Sequence, residues 1–480
     1  MPLPTIPSGN VASATAGAYE VANSCRFNDG DSAELSISPS SSSNRKTWTL
    51  SMWVKRCTLG QYYTLWRANG SGFDDYFSFQ NDDTLDWDFN SGGGFISTNR
   101  KFTDVGAWYH FVLRMDSTNA TAGDRQRLYV NGVEETSFST DTQVSQDTDG
   151  NTNNSAATHR IGASASSQYF DGYIAEVVLL DGTSAAPTEF GEFDEDSPTI
   201  WKPKDVSGLT FGTNGFYLDF KDSSNLGNNA GSGSSDFSES NLAATDQCTD
   251  TPTNNFCTMN PLYYWSTTST FSEGNTTIKN DTANKGRPAT FGVKRGKWYW
   301  EVKNDNSNLQ SVGIVSDTAI SDGDLDDYDV ANGFQGYSGN RAIAMCYDGG
   351  QLILPSSTTG SWGSTVSNDG IVQIALDLDN NKLYFGINGT WVQSGDPTSG
   401  STGTGAASIT AYATTPALGD IIWFPLFHSY NTTGISHFNF GNPSEAISSS
   451  NSDADGYGNF EYAVPSGYYA LCTKNLAEYG

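Results

Sequence analysis

The residues of this chain most able to do chemistry are its acidic runs. The run Glu192-Phe-Asp-Glu-Asp196 is the nearest match to the Glu-x-Asp-x-x-Glu strand of some retaining glycosidases, whose alternate carboxylates face one cleft. Ser197 stands where that pattern requires its last carboxylate, and Pro198 follows. We therefore interpret the run as an acidic turn, predict no catalytic residue, and rank a glycanase last among the candidate functions.

The histidines and cysteines form no recognisable catalytic or metal-binding pattern. None of the four histidines (His110, His159, His428 and His437) has a second histidine two or four residues away, so a histidine site would need long-range convergence. His110 alternates with apolar residues, which predicts a hydrogen-bonded structural role. The six cysteines form no CxxC pair, which argues against zinc. We expect free buried thiols, with a Cys248–Cys257 loop as the alternative.

Two acidic stretches carry oxygen ligands of the kind that Ca²⁺ prefers. Asp147, Asp149 and Asn151 lie in the first, and the second runs from Asp322 to Asp329. Neither fits an EF-hand, because the glycine and the final glutamate of that loop are missing. Two interpretations stay open: a Ca²⁺ site in a tip loop, with Asp147, Asp149 and Asn151 as candidate ligands, and a solvated acidic loop without metal.

Sugar binding is the chemistry that the aromatic residues favour. Aromatic rings beside carboxylates or amides are the groups that bind sugars. The candidate ligand-binding residues are Tyr76, Asp82, Asp83, Trp87 and Trp362. The alternative for Tyr76 and Trp87 is a place in the core of a strand.

The elements that must position these residues are strands. Trp298, Trp300 and Val302 alternate with polar or smaller side chains, which is the period-two pattern of a strand with one buried face. The same alternation recurs at 47–56, 108–116, 371–379 and 382–387. Asn131-Gly132 and Asn388-Gly389 supply hairpin turns. We predict an all-β chain of two jelly-roll-type antiparallel β-sandwiches joined by a loop-rich connector.

Length and charge limit the partners. A chain of 480 residues has room for two sandwiches. Its net charge of −29 repels nucleic acid and anionic membranes, and no apolar run is long enough for membrane insertion. The first residues lack the basic and apolar regions of a secretory signal. We therefore expect no nucleic acid partner and assembly in a cytoplasm.

Shifts in composition divide the chain into five parts. We predict an extended N-terminal arm at 1–20, a first sandwich at 21–190, a connector at 191–260, a second sandwich at 261–445 and an aromatic C-terminal segment at 446–480. The connector is poor in apolar residues between 222 and 258, which is typical of a loop-rich bridge. The C-terminal segment carries many aromatic residues, which must be buried somewhere.

Each half of the chain resembles a known domain family. The ordered motifs Trp48-Thr-Leu-Ser-Met-Trp53, Trp108-Tyr-His110, Leu128-Tyr-Val-Asn-Gly132 and Phe170-Asp-Gly-Tyr-Ile-Ala-Glu176 resemble the laminin-G-like and concanavalin-A-like lectin superfamily. The order of the runs from Gly296 to Phe427 resembles a SPRY domain. SPRY domains are β-sandwiches that bind partners through their loops, so this resemblance implies binding and no catalysis.

A wider resemblance covers nearly the whole chain. The phrases Arg26-Phe-Asn-Asp29, Asp250-Thr-Pro-Thr-Asn-Asn255 and Pro465-Ser-Gly-Tyr-Tyr-Ala-Leu-Cys472 are similar to structural proteins of tailed, especially marine, bacteriophages. The resemblance implies a virion location and a tail fibre or appendage that binds a host cell-surface glycan or protein. Other virion subunits are the implied partners, and we expect a homo-oligomer such as a trimer. A capsid decoration protein, a secreted adhesin and a glycanase remain as alternatives.

Overall fold

Two compact units make up the chain, and they meet in sequence between Asn255 and Phe256. The computed structural model describes residues 19–70, 74–263, 269–281, 283, 285–305, 309–322, 328–329, 333–334, 342–354, 357–360, 362–409 and 421–480. The predicted arm at 1–20 therefore lies almost wholly outside the described residues. The chain is nearly all-β, as predicted from the strand alternation.

The first unit is an antiparallel β-sandwich. Its strands are β1 (Ser24–Phe27), β2 (Glu34–Ile37), β3 (Thr47–Arg56), β4 (Tyr63–Gly70), β5 (Asp74–Phe79), β6 (Leu85–Phe89), β7 (Gly94–Thr98), β8 (Trp108–Asp116), β9 (Gln126–Val130), β10 (Val133–Glu134), β11 (Phe138–Thr142), β12 (Ala157–Ile161), β13 (Gly172–Asp181), β14 (Gly191–Phe193), β15 (Trp201–Pro203), β16 (Phe216–Leu218), β17 (Ser238–Ser240) and β18 (Gln247–Cys248). Short 3-10 helices occupy Asp29–Asp31, Ala122–Asp124, Pro187–Glu189 and Ala244–Asp246.

Two eight-stranded sheets form this sandwich among the described residues. Sheet A has the order β10-β9-β8-β3-β13-β1-β18, with β16 also paired to β13. Sheet B has the order β11-β7-β6-β5-β4-β12-β2-β17. Alternate residues of both sheets fill one core, including Trp48, Leu50 and Phe111 from sheet A and Phe77 and Trp87 from sheet B. This inward alternation is the one that the sequence predicts.

The second unit is also a β-sandwich. Its strands are β19 (Ser269–Ser272), β20 (Thr277–Asn280), β21 (Lys285–Pro288), β22 (Lys297–Asn304), β23 (Gln310–Ser316), β24 (Tyr328–Asp329), β25 (Gly333–Phe334), β26 (Ala342–Cys346), β27 (Leu352–Leu354), β28 (Ser357–Thr359), β29 (Ile371–Asp377), β30 (Lys382–Ile387), β31 (Thr390–Trp391), β32 (Ala407–Ser408), β33 (Trp423–Ser429), β34 (Ile435–Asn439) and β35 (Tyr469–Ala470). Its helices are α1 (Asp317–Asp322) and α2 (Thr473–Tyr479), with 3-10 turns at Val392–Ser394 and Pro397–Thr402.

Two larger sheets enclose the core of the second unit. Within the described ranges, sheet C has the order β19-β20-β34-β22-β29-β30-β31, with β32 beside β30 and β35 parallel to β22. Sheet D has the order β21-β33-β23-β26-β27-β28. Trp298, Trp300 and Phe385 from sheet C meet Ile314 and Phe427 from sheet D in this core. Their alternation along the sequence is the reason that these side chains share one face.

The stretch predicted as a connector, residues 191–260, belongs to the first unit up to Asn255. Three of its strands extend the sandwich, since β16 pairs with β13, β17 with β2 and β18 with β1. Leu226 and Phe237, from its Gly- and Ser-rich part, are buried in the core. The apolar residues are too sparse to show a period, but Leu226 and Phe237 each fill a place in the sandwich.

Other parts of the chain cover the outer faces of three sheets. Tyr19, Trp201 and Phe211 pack on the outer side of sheet A. Residues of the predicted C-terminal segment, among them Phe460 and Tyr468, pack on the outer side of sheet C. Helix α1 packs on the outer side of sheet D through Ala319 and Ile320. Phe460 and Tyr468 are therefore buried within their own unit, whereas the other aromatic residues of the segment are partly exposed.

Buried hydrogen-bonded groups hold two of these covers in place. His110 lies on the outer side of sheet A, accepts a hydrogen bond from Trp201 Nε1 at 2.9 Å and pairs with Ser51 Oγ at 2.8 Å. The carboxylate of Glu301 lies on the outer side of sheet C and accepts the backbone N–H groups of Glu461 at 2.9 Å and Tyr462 at 2.8 Å. The predicted structural role of His110 is confirmed.

All six cysteines are buried and free. The expectation of free buried thiols is therefore confirmed, and the Cys248–Cys257 loop is wrong. Burial raises the pKa of the Cys25 and Cys57 thiols, which keeps these two thiols protonated and unreactive. Among the described residues, no helix combines the length and the apolar character that a membrane crossing requires.

A buried glutamate gives the first unit a predictable pH dependence. Glu176 lies in a bulge of β13 and accepts hydrogen bonds from Tyr217 Oη at 2.8 Å and Tyr19 Oη at 3.0 Å. Burial raises its pKa from 4.5 to about 7. Between these values the folded state holds a proton that the unfolded state lacks, so the free energy of unfolding falls as the pH rises.

We expect Glu176→Gln to remove this pH dependence. The wild type should lose at most about 1.4 kcal/mol of unfolding free energy per pH unit through this group, and the variant should not. Denaturant unfolding at several pH values between 4.5 and 8 measures the two slopes. Glu195→Gln, at an exposed position, is the matched control and should keep the wild-type slope. Equal slopes in wild type and Glu176→Gln would contradict the prediction.

Candidate functional site

Sheet B is the sheet whose outer face stays open within its own unit. Strand β6 reads Leu85-Asp86-Trp87-Asp88-Phe89, and its odd-numbered residues are buried in the core. The alternation therefore directs Asp86 and Asp88 outward. None of the hydrophobic clusters in the described residues includes a side chain from this outer face. We call Arg67, Tyr76, Asp86, Asp88 and Phe95 the open-face cluster.

The strand register brings these side chains together. Tyr76 of β5 is the cross-strand partner of Arg67 on one side and of Asp88 on the other. Asp88 in turn lies opposite Phe95, and Asp86 lies opposite Ser97. Directly opposed residues of an antiparallel pair have Cβ atoms about 5 Å apart. Two aromatic rings, two carboxylates and one guanidinium thus occupy a continuous patch across four strands.

The arginine of this patch is fixed by its neighbours. The Arg67 guanidinium forms an ion pair with Asp74 and donates a hydrogen bond to Ser164 Oγ. Asp74 also accepts a hydrogen bond from Asn69 Nδ2 at 2.5 Å. A guanidinium held at two points is preorganised, so less side-chain entropy is lost when it binds a further group.

The carboxylates of the patch bind protons more tightly than usual. Burial raises the pKa of Asp88 to about 6, and the nearby Asp75 and Asp74 add to the rise, although Gly92 N donates a hydrogen bond at 2.6 Å. Burial also raises the pKa of Asp86. The pKa of Tyr76 rises to about 12 through burial and then through Asp88 and Asp86. Asp88 is buried, and Asp86 and Tyr76 are partly buried, so all three hold their protons more tightly than they would in water.

One of the two carboxylate oxygens of Asp86 accepts no hydrogen bond from the described residues, although Ser97 bonds to the carboxylate and lowers its pKa in part. Within the described part of the chain, its Oδ1 atom is shielded from solvent and has no hydrogen-bond partner. An unsatisfied buried acceptor costs about 1–3 kcal/mol. A ligand hydroxyl that reaches Oδ1 would recover part of this cost. Aromatic faces beside such acceptors are what sugar rings require.

The structure separates the five residues that the sequence suggests as ligand-binding. Tyr76 lies on the open face, whereas Trp87 lies in the core with its ring 6.0 Å from that of Trp48. The alternative of a core position therefore holds for Trp87. Trp362 belongs to the second unit, where it packs against that unit's core.

Asp82 and Asp83 lie in the turn between β5 and β6, where both have structural roles. Asp82 accepts hydrogen bonds from the N–H and hydroxyl of Thr84 at 3.2 and 2.7 Å. Asp83 has a positive φ of 69° and accepts from Arg56 at 3.0 Å and from Gly60 N at 2.8 Å. Because Arg56 is buried, Asp83 balances a charge inside the unit.

The candidate calcium ligands face cationic side chains. Lys46 Nζ lies 3.5 Å from Asp147, and an Arg45 nitrogen lies 3.7 Å from Asp149. The Asn151 side chain is turned inward, where its Oδ1 accepts a hydrogen bond from Asn154 Nδ2 at 2.9 Å. No group of three or more acidic, histidine or cysteine side chains in the described ranges is placed to hold a metal ion. The second acidic stretch, Asp322 to Asp329, falls mostly outside the described residues.

The acidic run at Glu192 also has a structural explanation. Lys202 of β15 lies 3.5 Å from both Glu192 and Asp194. Asp194 is buried and accepts the backbone N–H groups of Asp196 and Ser197, each at 3.0 Å. These contacts fit the predicted acidic turn.

Comparisons with known proteins agree with the fold of the first unit. Residues 29–186 match a family described as the concanavalin A-like lectin/glucanases superfamily. The prediction of a lectin-like sandwich is confirmed for this stretch, which includes the whole open-face cluster. No curated protein sequence matches the chain.

Solved structures with weak similarity include two of the SPRY type. The TRIM65 PSpry domain is 14% identical over 38% of this chain and 92% of its own, with a TM-score of 0.27. The SPRY domain of human HERC1 is 12% identical over 38% and 96%, with a TM-score of 0.25. A heptameric SAP-like pentraxin from Limulus polyphemus is 15% identical over 35% and 80%, with a TM-score of 0.27. Scores this low assign neither a ligand nor a partner.

The contacts of the loop at 147–151 lead to a prediction about calcium. Because Lys46 and Arg45 lie beside Asp147 and Asp149, we expect a solvated acidic loop that binds no Ca²⁺ at millimolar concentration. Calorimetric titration of Ca²⁺ into the wild type and into an Asp147→Asn, Asp149→Asn double variant should give the same heats. A binding heat that disappears in the double variant would show that the loop is a calcium site.

Proposed function

We propose that the chain is a non-enzymatic structural protein of a virion, a tail fibre or appendage, that binds glycans on a host cell surface. Its binding site is the open face of sheet B. The observation that carries the glycan part is the patch in which Tyr76 lies between Arg67 and Asp88, with the unused acceptor of Asp86 on the same strand as Asp88. The sequence resemblance to phage structural proteins supports the virion part.

The chemistry of the patch suits an uncharged or weakly polar sugar. The ring of Tyr76 or Phe95 offers a flat apolar surface for the C–H groups of a sugar ring. The carboxylates of Asp86 and Asp88 accept hydrogen bonds from sugar hydroxyls, and Arg67 donates to sugar oxygens. A single patch of this size binds weakly, so a homo-oligomer such as a trimer would supply the avidity that attachment needs.

A second function, hydrolysis of a glycan, is favoured by one observation. Asp86 and Asp88 are two residues apart on one strand face, and the pKa of Asp88 is raised to about 6. Paired carboxylates with one raised pKa are typical of glycosidases. Incubation of the protein with a bound polysaccharide and measurement of new reducing ends distinguishes the two functions. If the wild type produces new reducing ends and Asp88→Asn does not, the function is hydrolysis rather than binding alone.

We expect Tyr76→Ala to weaken glycan binding roughly tenfold, because the loss of one stacked ring costs on the order of 1.4 kcal/mol. A glycan array identifies the ligand, and calorimetry measures the affinity. Tyr62→Ala removes an exposed ring in the loop before β4 and should leave the affinity unchanged. Binding should also weaken as the pH falls below about 6, where Asp88 gains a proton. A blank array, or equal loss in both variants, would contradict the site.

The virion assignment has a separate test. We expect mass spectrometry of purified particles to detect the chain, and a cryo-EM map of the particle to place its two sandwiches on the tail. Density for the chain on the shell would favour the alternative of a capsid decoration protein. Absence of the chain from the particles would contradict a virion role and would leave a secreted adhesin as the remaining binding function.

A further inference from the structure

Three polar side chains meet on the outer side of sheet A, where they are buried within the first unit. Lys55 comes from β3, and Asp250 and Asn255 come from the segment that follows β18. Their exposed fractions are 1%, 0% and 1%. A buried ammonium group is costly even when it is paired. Asp250 and Asn255 are the first and last residues of the segment Asp250-Thr-Pro-Thr-Asn-Asn255. This segment belongs neither to the core of the sandwich nor to the open face.

The three groups lie close enough to one another to react. Lys55 Nζ lies 2.6 Å from Asp250 Oδ2 and 2.6 Å from Asn255 Oδ1. Because a C=O bond is about 1.23 Å long, Nζ lies at most about 3.8 Å from the amide carbon Cγ of Asn255. That separation is close to the contact distance from which a nucleophile attacks a carbonyl.

Neighbouring groups fix the orientation of all three side chains. Trp108 Nε1 donates to Asp250 Oδ1 at 2.9 Å. The Asn255 amide nitrogen donates to the carbonyl oxygen of Gly106 at 2.5 Å, which turns the amide oxygen toward Lys55. Tyr173, fully buried, lies with its ring centre 5.5 Å from Lys55 Nζ. Aromatic walls exclude water, so hydrolysis does not compete within the cluster.

We propose that Lys55 and Asn255 form an intramolecular isopeptide bond, with Asp250 as the proton carrier. Asp250 takes a proton from the Lys55 ammonium through their hydrogen bond. The lone pair of the free amine attacks Cγ of Asn255, and a Nζ–Cγ bond forms. Asp250 delivers the proton to Nδ2, the Cγ–Nδ2 bond breaks, and ammonia leaves and takes up the second amine proton. No oxidant, metal or cofactor is needed.

The product no longer contains a buried ammonium ion. A neutral secondary amide replaces the ammonium ion, and its N–H group donates to Asp250, which keeps its bond from Trp108. The bond would join residues that are 200 positions apart in sequence. A crosslink over so long a loop restricts the unfolded chain strongly, which suits a protein that must survive outside a cell without repair.

Denaturing mass spectrometry of the full chain tests the proposal. We expect a mass lower than that of the sequence by about 17 Da, the mass of one ammonia. Trypsin should yield a branched peptide in which residues 47–56 are joined to residues 222–279, because Lys55 is blocked. A wild-type protein with the full sequence mass, and with residues 47–55 released as a free linear peptide, would overturn the proposal whether or not any variant folds.

Variants distinguish formation of this bond from other reactions that release ammonia. Lys55→Arg keeps the charge and should restore the full mass, whereas a succinimide at an asparagine would persist in that variant. Asp250→Asn should abolish or greatly slow the loss, because the proton carrier is gone. Asn254→Ala changes the neighbouring buried asparagine and should keep the shortfall. A shortfall that survives in Lys55→Arg would overturn the proposal.

Discussion

The alternation of side chains along each strand is the constraint on which the rest of the structure depends. A strand that sends Trp298 and Trp300 into a core must send Tyr299 and Glu301 to the opposite side. A sandwich therefore creates two outer faces whenever it fills its interior. Three of the four large sheets in the described chain cover that outer face with another part of their own unit. The remaining outer face, on sheet B, is polar and carries the candidate site.

The covers explain why so many ionisable groups are buried. A cover laid on a sheet must satisfy the backbone and side-chain polar groups that it removes from water. Glu301 does so for the C-terminal segment, His110 for Trp201, and Glu176 for Tyr19. Lys55 and Asp250 bring the last residues of the first unit onto sheet A in the same way. The proposed isopeptide bond would make one of these attachments covalent.

The sequence predicts the strands well and the covers poorly. Period-two alternation reports burial on one face, and it identifies Trp48, Phe111 and Leu376 as core residues. It cannot report that the opposite face is buried under a distant segment, because such a segment shows no period of its own. Phe237 stands almost alone among glycine and serine residues, yet it fills a place in the core. The interpretation of residues 191–260 as a connector departs from the structure for this reason.

The candidate site shows the same limit. The sequence candidates Asp82, Asp83 and Trp87 lie beside Asp86 and Asp88 in the chain, but Asp82 and Asp83 lie in the turn before β6 and Trp87 lies in the core. Strict alternation from Leu85 through Phe89 would have placed Trp87 inside and the two aspartates outside. No local sequence pattern marks Arg67 or Phe95 as site residues. Only the pairing of β4 with β5 and of β6 with β7 brings them beside Tyr76 and Asp88. Which strands lie side by side decides the composition of the site, and the local pattern of a single strand does not report this pairing.

Hydroxyl-radical footprinting of the full chain tests most directly whether sheet B alone keeps an open outer face. The oxidation rate of each aromatic side chain, read by mass spectrometry, reports its contact with water. Tyr76 and Phe95 should be oxidised readily, whereas Trp53, Tyr299 and Phe424, on the outer faces of sheets A, C and D, should be protected. Protection of Tyr76 and Phe95, or rapid oxidation of the other three, would contradict this arrangement of covered and open faces.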